Sequence, residues 1–203
     1  MQEKLFADVV NRLKAHGLML MKGTIVDSTL ISSPSSTKNE KKERDPEAHQ
    51  VKKGNQWYFG YKGHFGVDRD TGLVNKVETT AANVHDVTVV PQLTEGTEED
   101  FHGDSGYLGV DKREDTIQTN RFGNKIKYHV CARPSSLKKR FTGKDYEAKS
   151  SVRCKVEHVF AIVKGLFRFR KTRLRGLKKV DAQLHMLFAL ANLILAARPS
   201  VAA

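Results

Sequence analysis

The sequence predicts an α/β domain, and two kinds of apolar pattern support this class. Residues 24–31 and 57–67 have the β-rich composition or the period-two alternation of buried strands, whereas residues 3–16 and 180–197 repeat apolar side chains at helical spacing. The chain has 203 residues, 39% of them hydrophobic, including ten Phe, which is enough to bury one core. We therefore expect a single domain.

The charge balance favours a polyanionic partner. Lys and Arg number 35 against 23 Asp and Glu, a formal net charge of +12. The two cysteines, Cys131 and Cys154, are too few for a disulfide framework, and their spacing is not that of metal ligands, which suits a reducing cytosol. The N-terminus has no apolar signal core, and the longest apolar stretch, 186–197, is too short to cross a bilayer. Nucleic acid is therefore the leading partner, and no membrane partner is expected.

The first half of the chain is predicted to form a helix at 3–16 followed by strands of a sheet. A strand at 24–31 is followed by a long polar loop at 32–53. The alternation at 57–67 and the turn around Gly72 predict a hairpin with a partner strand at 73–80, and His64 and Lys62 fall on its exposed face, where DNA contact is one interpretation.

The second half completes a sheet core that spans 17–132 and then becomes helical. The elements predicted from periodicity and from breaker residues are a short helix near Pro91, a strand at 100–104, a helix at 110–119, a strand at 125–132, a basic loop at 135–145, and helices at 149–167 and 180–197.

Three carboxylates stand in surroundings that favour a chemical role. Asp27 interrupts an apolar strand, where a buried ionised acid is costly without a nearby cation; a strand end with backbone hydrogen bonds is the alternative. Asp104 lies in a turn between two glycines that allow close approach to the backbone. Glu157 is on the penultimate helix. Asp86 is either a neighbour of such a site or a helix cap.

The helix that carries Glu157 also presents two basic residues on the same face. At 100° per residue, Arg153, Glu157 and Lys164 fall within about 40° of one another. This arrangement is typical of a phosphate clamp around a metal ligand, and the alternative is a surface salt bridge between Arg153 and Glu157. Hard oxygen ligands from Asp27, Asp104 and Glu157 could together hold two Mg²⁺ or Mn²⁺ ions about 4 Å apart.

In order and spacing, these segments resemble the DDE transposases of bacterial insertion sequences, in the group formed by insertion sequence families four and five. The matching segments are 23–29, 44–50 with 52–68, 79–86, 103–107, 153–164 and 183–193. The resemblance implies an RNase H-like mixed β-sheet flanked by helices, with Asp27, Asp104 and Glu157 as catalytic metal ligands. It also implies metal-dependent cleavage at transposon ends and transfer of the 3′-hydroxyl into target DNA.

The chain departs from the family pattern in two places. The family signature around the last acid is Tyr, two residues, Arg, three residues, Glu, six residues, Lys; Ser150 stands in the Tyr position, and Tyr146 lies about one turn earlier. Only 26 residues precede Asp27, whereas relatives usually carry an N-terminal helical DNA-binding domain. The chain is therefore expected to be the catalytic part of a truncated or split transposase.

A basic segment follows the Glu157 helix. Eight Lys and Arg occupy the sixteen positions from 164 to 179 without an acid. The eight are Lys164, Arg168, Arg170, Lys171, Arg173, Arg175, Lys178 and Lys179. Together with Arg153 they are the predicted DNA contacts. The alternative for the segment is a solvated linker between helices.

Two other functions are compatible with these patterns, a catalytically silent DNA-binding remnant of a transposase and an RNase H-like nuclease. In each case DNA is the expected partner, the expected location is the bacterial cytoplasm at the nucleoid, and a homodimer on DNA is one assembly that the resemblance allows.

Overall fold

A six-stranded mixed β-sheet forms the centre of the protein. The structure is a computed structural model that describes residues 1–131 and 143–197, with side chains for 1–131 and 152–197. The strands are β1 (Gly23–Ser32), β2 (His49–Lys53), β3 (Gln56–Asp68), β4 (Val74–Ala81), β5 (Asp100–Gly103) and β6 (Lys127–Val130). The helices are α1 (Gln2–Ala15), the short α2 (Val90–Leu93), α3 (Gly143–Phe160) and α4 (Leu177–Ala196).

The sheet combines antiparallel and parallel pairs. The strand order is β2-β3-β1-β5-β6, and β4 also pairs with β3. β3 runs antiparallel to β1, β2 and β4, whereas β1, β5 and β6 run parallel to one another. The mixed sheet with flanking helices is consistent with the predicted RNase H-like fold.

Apolar side chains from the two faces of the sheet enter two different cores. Ile25 and Phe65 pack in the larger core with residues of α1, α3 and α4, whereas Val26 packs in a second core with Phe101 and Leu93. Because successive residues of a strand point to opposite faces, Asp27 lies on the face of Ile25, beneath α3.

Helix α4 belongs to the larger core. By length and apolarity it could also span a membrane. Its buried residues Val180, Leu184 and Phe188 pack in the core, and the helix contacts β4 and α1. The amide of Asn192 bonds to both backbone groups of Val74, at 2.7 Å each. These contacts show that one face of α4 packs against the core of the domain.

Several predicted elements are confirmed with small shifts of their ends: α1, β1, the hairpin of β3 and β4, the short helix at Pro91, β5, β6 and α4. The turn between β3 and β4 is held by Asp68, whose Oδ1 accepts hydrogen bonds from the backbone of Asp70 and Thr71 at 3.0 and 2.8 Å.

Two element predictions were wrong, and a third is confirmed with different ends. The polar loop predicted at 32–53 ends in strand β2, which pairs with the first residues of β3. The helix predicted at 110–119 is a single 3₁₀ turn, Val110–Lys112, followed by irregular chain. The helix predicted at 149–167 begins at Gly143 and continues after Phe160 as a π-helix, Ala161–Leu166. The last residues of the basic loop predicted at 135–145 belong to α3, and residues 135–142 lie outside the described residues.

The exposed face predicted for the hairpin is covered in the structure. His64 is fully buried, and its Nε2 lies 2.9 Å from the Thr80 hydroxyl. The Lys62 side chain is 12% exposed and forms an ion pair with Asp86. Neither residue therefore offers the free surface that a DNA contact needs.

Candidate active site

Asp27 on β1 lies near Asp104, the residue that directly follows β5. In the parallel pair of β1 and β5, Ile25 is opposite His102. The same register, continued by two residues, brings Asp27 beside Asp104. Adjacent strands are about 4.8 Å apart, and alternate residues share a face. Both acids are therefore neighbours on the face beneath α3, which contacts β1 and β5.

The turn after β5 fixes the Asp104 carboxylate. Its Oδ1 accepts a hydrogen bond from the Gly106 backbone N–H at 2.8 Å and so caps the 3₁₀ turn Ser105–Tyr107. A Cβ at residue 106 would lie 2.9 Å from this oxygen and 3.3 Å from Asp86 Oδ2. The glycine in this turn therefore makes room for two carboxylates.

Asp86 is a further functional candidate, which the sequence indicated only as either a neighbour of the acid site or a helix cap. It begins the 3₁₀ turn Asp86–Val89 without capping it. Its Oδ1 lies 3.0 Å from Lys62 Nζ and 3.5 Å from His64 Nδ1. The Lys62 ammonium compensates this carboxylate, and burial lowers the pKa of His64 to about 4, so the imidazole is neutral at pH 7.

The side chain of Tyr107 lies where these acids converge. It is 1% exposed, and its hydroxyl has no hydrogen-bond partner within the described part of the chain. Burial raises the pKa of Tyr107 well above its usual value, and the negative charges of Asp86, Asp27 and Asp104 raise it further. One buried hydroxyl therefore experiences the field of all three carboxylates.

Asp27 carries incompletely compensated negative charge. Burial raises its pKa to about 6; Asp104 and Asp86 also raise it, whereas the Ser28 N–H and Arg153 act in the opposite direction. The guanidinium Nη2 of Arg153 lies 3.6 Å from Asp27 Oδ2 and is the one cation that pairs with Asp27 among the described side chains. Because one cation there faces several acids, the donor set fits a divalent metal ion.

Glu157 follows Arg153 by one turn of α3. The buried Val156 and Val159 hold this part of the helix on the core. The Glu157 side chain is exposed. Among the described residues it forms no ion pair, so the predicted alternative, a salt bridge to Arg153, is absent from the observed contacts. Arg153 points instead to Asp27.

Lys164 lies in the π-helix, so the helical-wheel angle predicted for it does not apply beyond Phe160. Its Nζ lies 4.5 Å from the centroid of the Phe160 ring. Burial lowers the pKa of Lys164, Lys53 lowers it further, and Asp27 opposes this shift. The ammonium therefore experiences the charges of both Asp27 and Lys53, which lies at the tip of the β2–β3 hairpin. The side chains of Ser150 and Tyr146 lie outside the described part.

The three predicted acids are not packed around a single point. Within the described side chains, the one group of three His, Cys, Asp or Glu whose ligand atoms all lie within 4.8 Å is Asp100, His102 and His129. Two ions about 4 Å apart, each bound at about 2.1 Å, allow oxygens bound to different ions to be up to about 8 Å apart. Asp27, Asp104 and Glu157 do not form such a compact group among the described side chains.

The basic segment is anchored at Thr172 and Gly176, and most of its basic side chains are exposed. Thr172, which is fully buried, donates its backbone N–H to Ser32 at the end of β1. The Gly176 N–H donates to Asp45 Oδ2 at 2.8 Å, and Tyr61 donates to the same carboxylate at 2.5 Å. The basic side chains between and beside these anchors face solvent: Arg168, Arg170, Lys171, Arg173, Arg175, Lys178 and Lys179.

A groove of about 470 Å³ lies between the basic segment and the β2–β3 hairpin. Lys171, Arg44 and Trp57 are among its lining residues. Trp57 is 65% exposed and is the only tryptophan in the chain. Sequence analysis did not identify Trp57 as a functional candidate, because its alternation with Phe59 and Tyr61 indicated a buried face.

A comparison with known protein families gives a match over most of the chain. The family model described as "Transposase DDE domain" matches residues 19–193, which include every acid discussed above. No solved structure matches the chain. Because the match covers most of the sequence, the chain belongs to the transposase DDE domain family.

Proposed function

We propose that this protein cuts phosphodiester bonds of DNA at transposon ends and transfers the freed 3′-hydroxyl into target DNA. The observation that carries the proposal is the proximity of Asp27 on β1 to Asp104, which directly follows the parallel strand β5, beneath the helix that bears Glu157. Membership of the transposase DDE domain family supports the same activity.

Asp27, Asp104 and Glu157 would hold two Mg²⁺ or Mn²⁺ ions. The raised pKa of Asp27 reflects negative charge that such ions would compensate. When bound, the ions would lower the pKa of the attacking water or 3′-hydroxyl and stabilise the leaving oxygen. Asp86 would support the neighbouring metal ligands without binding an ion itself, because Lys62 already pairs with it at 3.0 Å.

Two cations of the protein would orient the phosphate. Arg153 lies against Asp27 but is 32% exposed, so its guanidinium can also reach a substrate at the surface. Lys164 is half-buried and lies near the charges of both Asp27 and Lys53. We place the scissile phosphate between these two side chains, where fixed positive charge favours the transition state.

The exposed basic segment and the groove beside it would carry the flanking DNA. Its side chains contact phosphates, which positions the duplex without selecting a sequence. Each phosphate contact releases counterions, so the affinity falls as salt rises.

Replacing Arg170, Lys171 and Arg173 by Gln is expected to reduce the slope of log affinity against log salt concentration by about 3, since each lost contact contributes about 0.9. The measurement is fluorescence anisotropy of a labelled duplex over a range of salt concentrations from roughly 50 to 200 mM. The matched control replaces three exposed basic residues elsewhere, Lys4, Arg121 and Lys125, by Gln. Equal slopes for the two triple variants would mean that the segment does not bind DNA.

The activity is tested with oligonucleotide duplexes that carry candidate transposon ends. We expect the wild-type protein to nick and join them with Mn²⁺, and the Asp104→Asn variant to bind but not to cut. Nicking without joining would indicate the nuclease alternative. If both proteins bind DNA and neither cuts it, the chain is a DNA-binding remnant and the proposal is wrong.

A further inference from the structure

We propose that Asp100, His102 and His129 form a second metal site, which binds one Zn²⁺ ion and is separate from the acids of the candidate active site. The ligand atoms of these three side chains all lie within 4.8 Å of one another. Neither the proposed DNA chemistry nor the family match assigns a role to this cluster.

The strand register creates the cluster. β5 and β6 are parallel, and His102 is directly opposite His129. The two imidazole rings lie 4.8 Å apart at an angle of 19°. Asp100 precedes His102 by two residues and therefore shares its face of the sheet. All three ligands thus come from regular strands, so their backbones are fixed before any ion binds.

Two of the ligands have buried polar atoms that form no hydrogen bond with the described residues. His102 is 7% exposed, and neither ring nitrogen has a hydrogen-bond partner among the described residues. The same holds for Oδ1 of Asp100. His102 Nε2 and Asp100 Oδ1 lie 3.3 Å apart. Tetrahedral zinc with bonds of about 2.0–2.1 Å needs ligand atoms about 3.3 Å apart, so these two atoms already have the required separation.

The surroundings hold the Asp100 carboxylate in place. Its Oδ2 accepts from the guanidinium of Arg69, which also bonds to Asp70. Oδ1 instead faces His102 Nε2, at 3.3 Å. On the neighbouring strand, a Cβ at residue 23 would lie 2.1 Å from Oδ1, so Gly23 makes the space that this oxygen occupies. An arginine bound to the outer oxygen of a ligand carboxylate is the kind of support that metal sites use to orient their ligands.

The donor set selects the type of ion. Two imidazole nitrogens and one carboxylate oxygen suit Zn²⁺, with a fourth position left for water, whereas Mg²⁺ prefers oxygen ligands throughout. The ion would tie the last strand in the order, β6, to β5, and β5 leads directly into Asp104. The proposed role is therefore to brace the strand that positions a catalytic acid.

The test uses tag-free, full-length protein freed of metal with a chelator. Co²⁺ is titrated as a spectroscopic probe, and Zn²⁺ is titrated by calorimetry in excess Mg²⁺. We expect one Co²⁺ per chain with the intense visible absorption of a tetrahedral site, displaced by one Zn²⁺. The Asp100→Asn and His129→Gln variants should each bind Zn²⁺ at least about 100-fold more weakly. His16→Gln, at an exposed position beyond α1, should bind like the wild type.

Three results would overturn the proposal: no high-affinity Zn²⁺ binding by the wild type, wild-type affinity in His129→Gln, or loss of Zn²⁺ binding in Asp104→Asn. The last result would place the ion at the candidate active site. Circular dichroism of each variant checks folding, and because His129 is only half-buried, its variant gives a reading even if Asp100→Asn does not fold.

Discussion

Replacing Glu157 by Gln is expected to lower the rate of Mn²⁺-dependent strand cleavage by about a thousandfold, because the amide removes a charged oxygen ligand worth about 4 kcal/mol of transition-state stabilisation. DNA affinity and folding should change little, since the Glu157 side chain is exposed and forms no ion pair among the described residues. Single-turnover nicking of a labelled duplex with saturating enzyme measures the chemical step directly.

The matched control is Asp86→Asn. Asp86 lies in the acid cluster, but Lys62 pairs with it at 3.0 Å. Its removal should therefore slow cleavage by no more than about tenfold, an estimate based on the loss of a supporting interaction rather than of a ligand. The reverse ranking, with Asp86→Asn inactive and Glu157→Gln active, would identify Asp86 as the third ligand and exclude the helix residue.

The two variants are compared because the sequence and the structure indicate different residues as the third carboxylate beside Asp27 and Asp104. The spacing of Arg153, Glu157 and Lys164 identifies Glu157 through a family signature. The contacts place Asp86 beside Gly106 and near Asp27. The sequence indicated this proximity as only one of two alternatives for Asp86, because Asp86 comes from a short turn whose position depends on the packing of Val89 and Val90 into the second core.

The elements that the sequence predicted well are those with a strong local pattern. β1, β3 and α4 bury long apolar runs, so composition and periodicity are sufficient to identify them. β2 was missed because its residues, such as His49 and Lys52, are exposed and polar. It is a strand because its backbone pairs with β3, and no local pattern records such pairing.

Other misses have equally specific causes. The predicted helix at 110–119 is a single 3₁₀ turn, and Arg113 and Asp115 pair at 2.6 Å in the irregular chain that follows it. His64 was predicted on an exposed face, but β3 has partner strands and packing on both sides, which buries the polar face as well. The π-helix changes the angle between Glu157 and Lys164 by a hydrogen-bond pattern that residue types do not reveal.

Replacing Asp27 by Asn is expected to stabilise the metal-free protein while it abolishes cleavage. Burial raises the pKa of Asp27 from 3.8 to about 6 in the folded protein. The folded state therefore binds the proton more tightly than the unfolded state, and the free energy of unfolding falls as pH rises from about 4 to about 6. Above about pH 6 the ionised carboxylate costs about 3 kcal/mol, at about 1.4 kcal/mol for each tenfold difference in proton affinity.

The amide of the Asp27→Asn variant cannot ionise, so the variant should escape this cost. At about pH 7 without metal, its melting temperature should exceed that of the wild type by about 6–12 °C, and near about pH 4 the two should coincide. The measurement is thermal unfolding across this pH range in the presence of a chelator. Asp8→Asn, which removes an exposed acid paired with Arg12, should change the stability by less than about 0.5 kcal/mol.

Addition of Mg²⁺ or Mn²⁺ should reduce the difference in melting temperature between the Asp27→Asn variant and the wild type. The ions bind the ionised carboxylates of the folded wild type and raise its melting temperature, whereas Asp27→Asn has lost one of the ligands and gains less. If Asp27→Asn is no more stable than the wild type at neutral pH without metal, then the ionised Asp27 carboxylate does not destabilise the folded protein. The strongest physical argument for a cation at this place in the fold would then fail, although the family membership would remain.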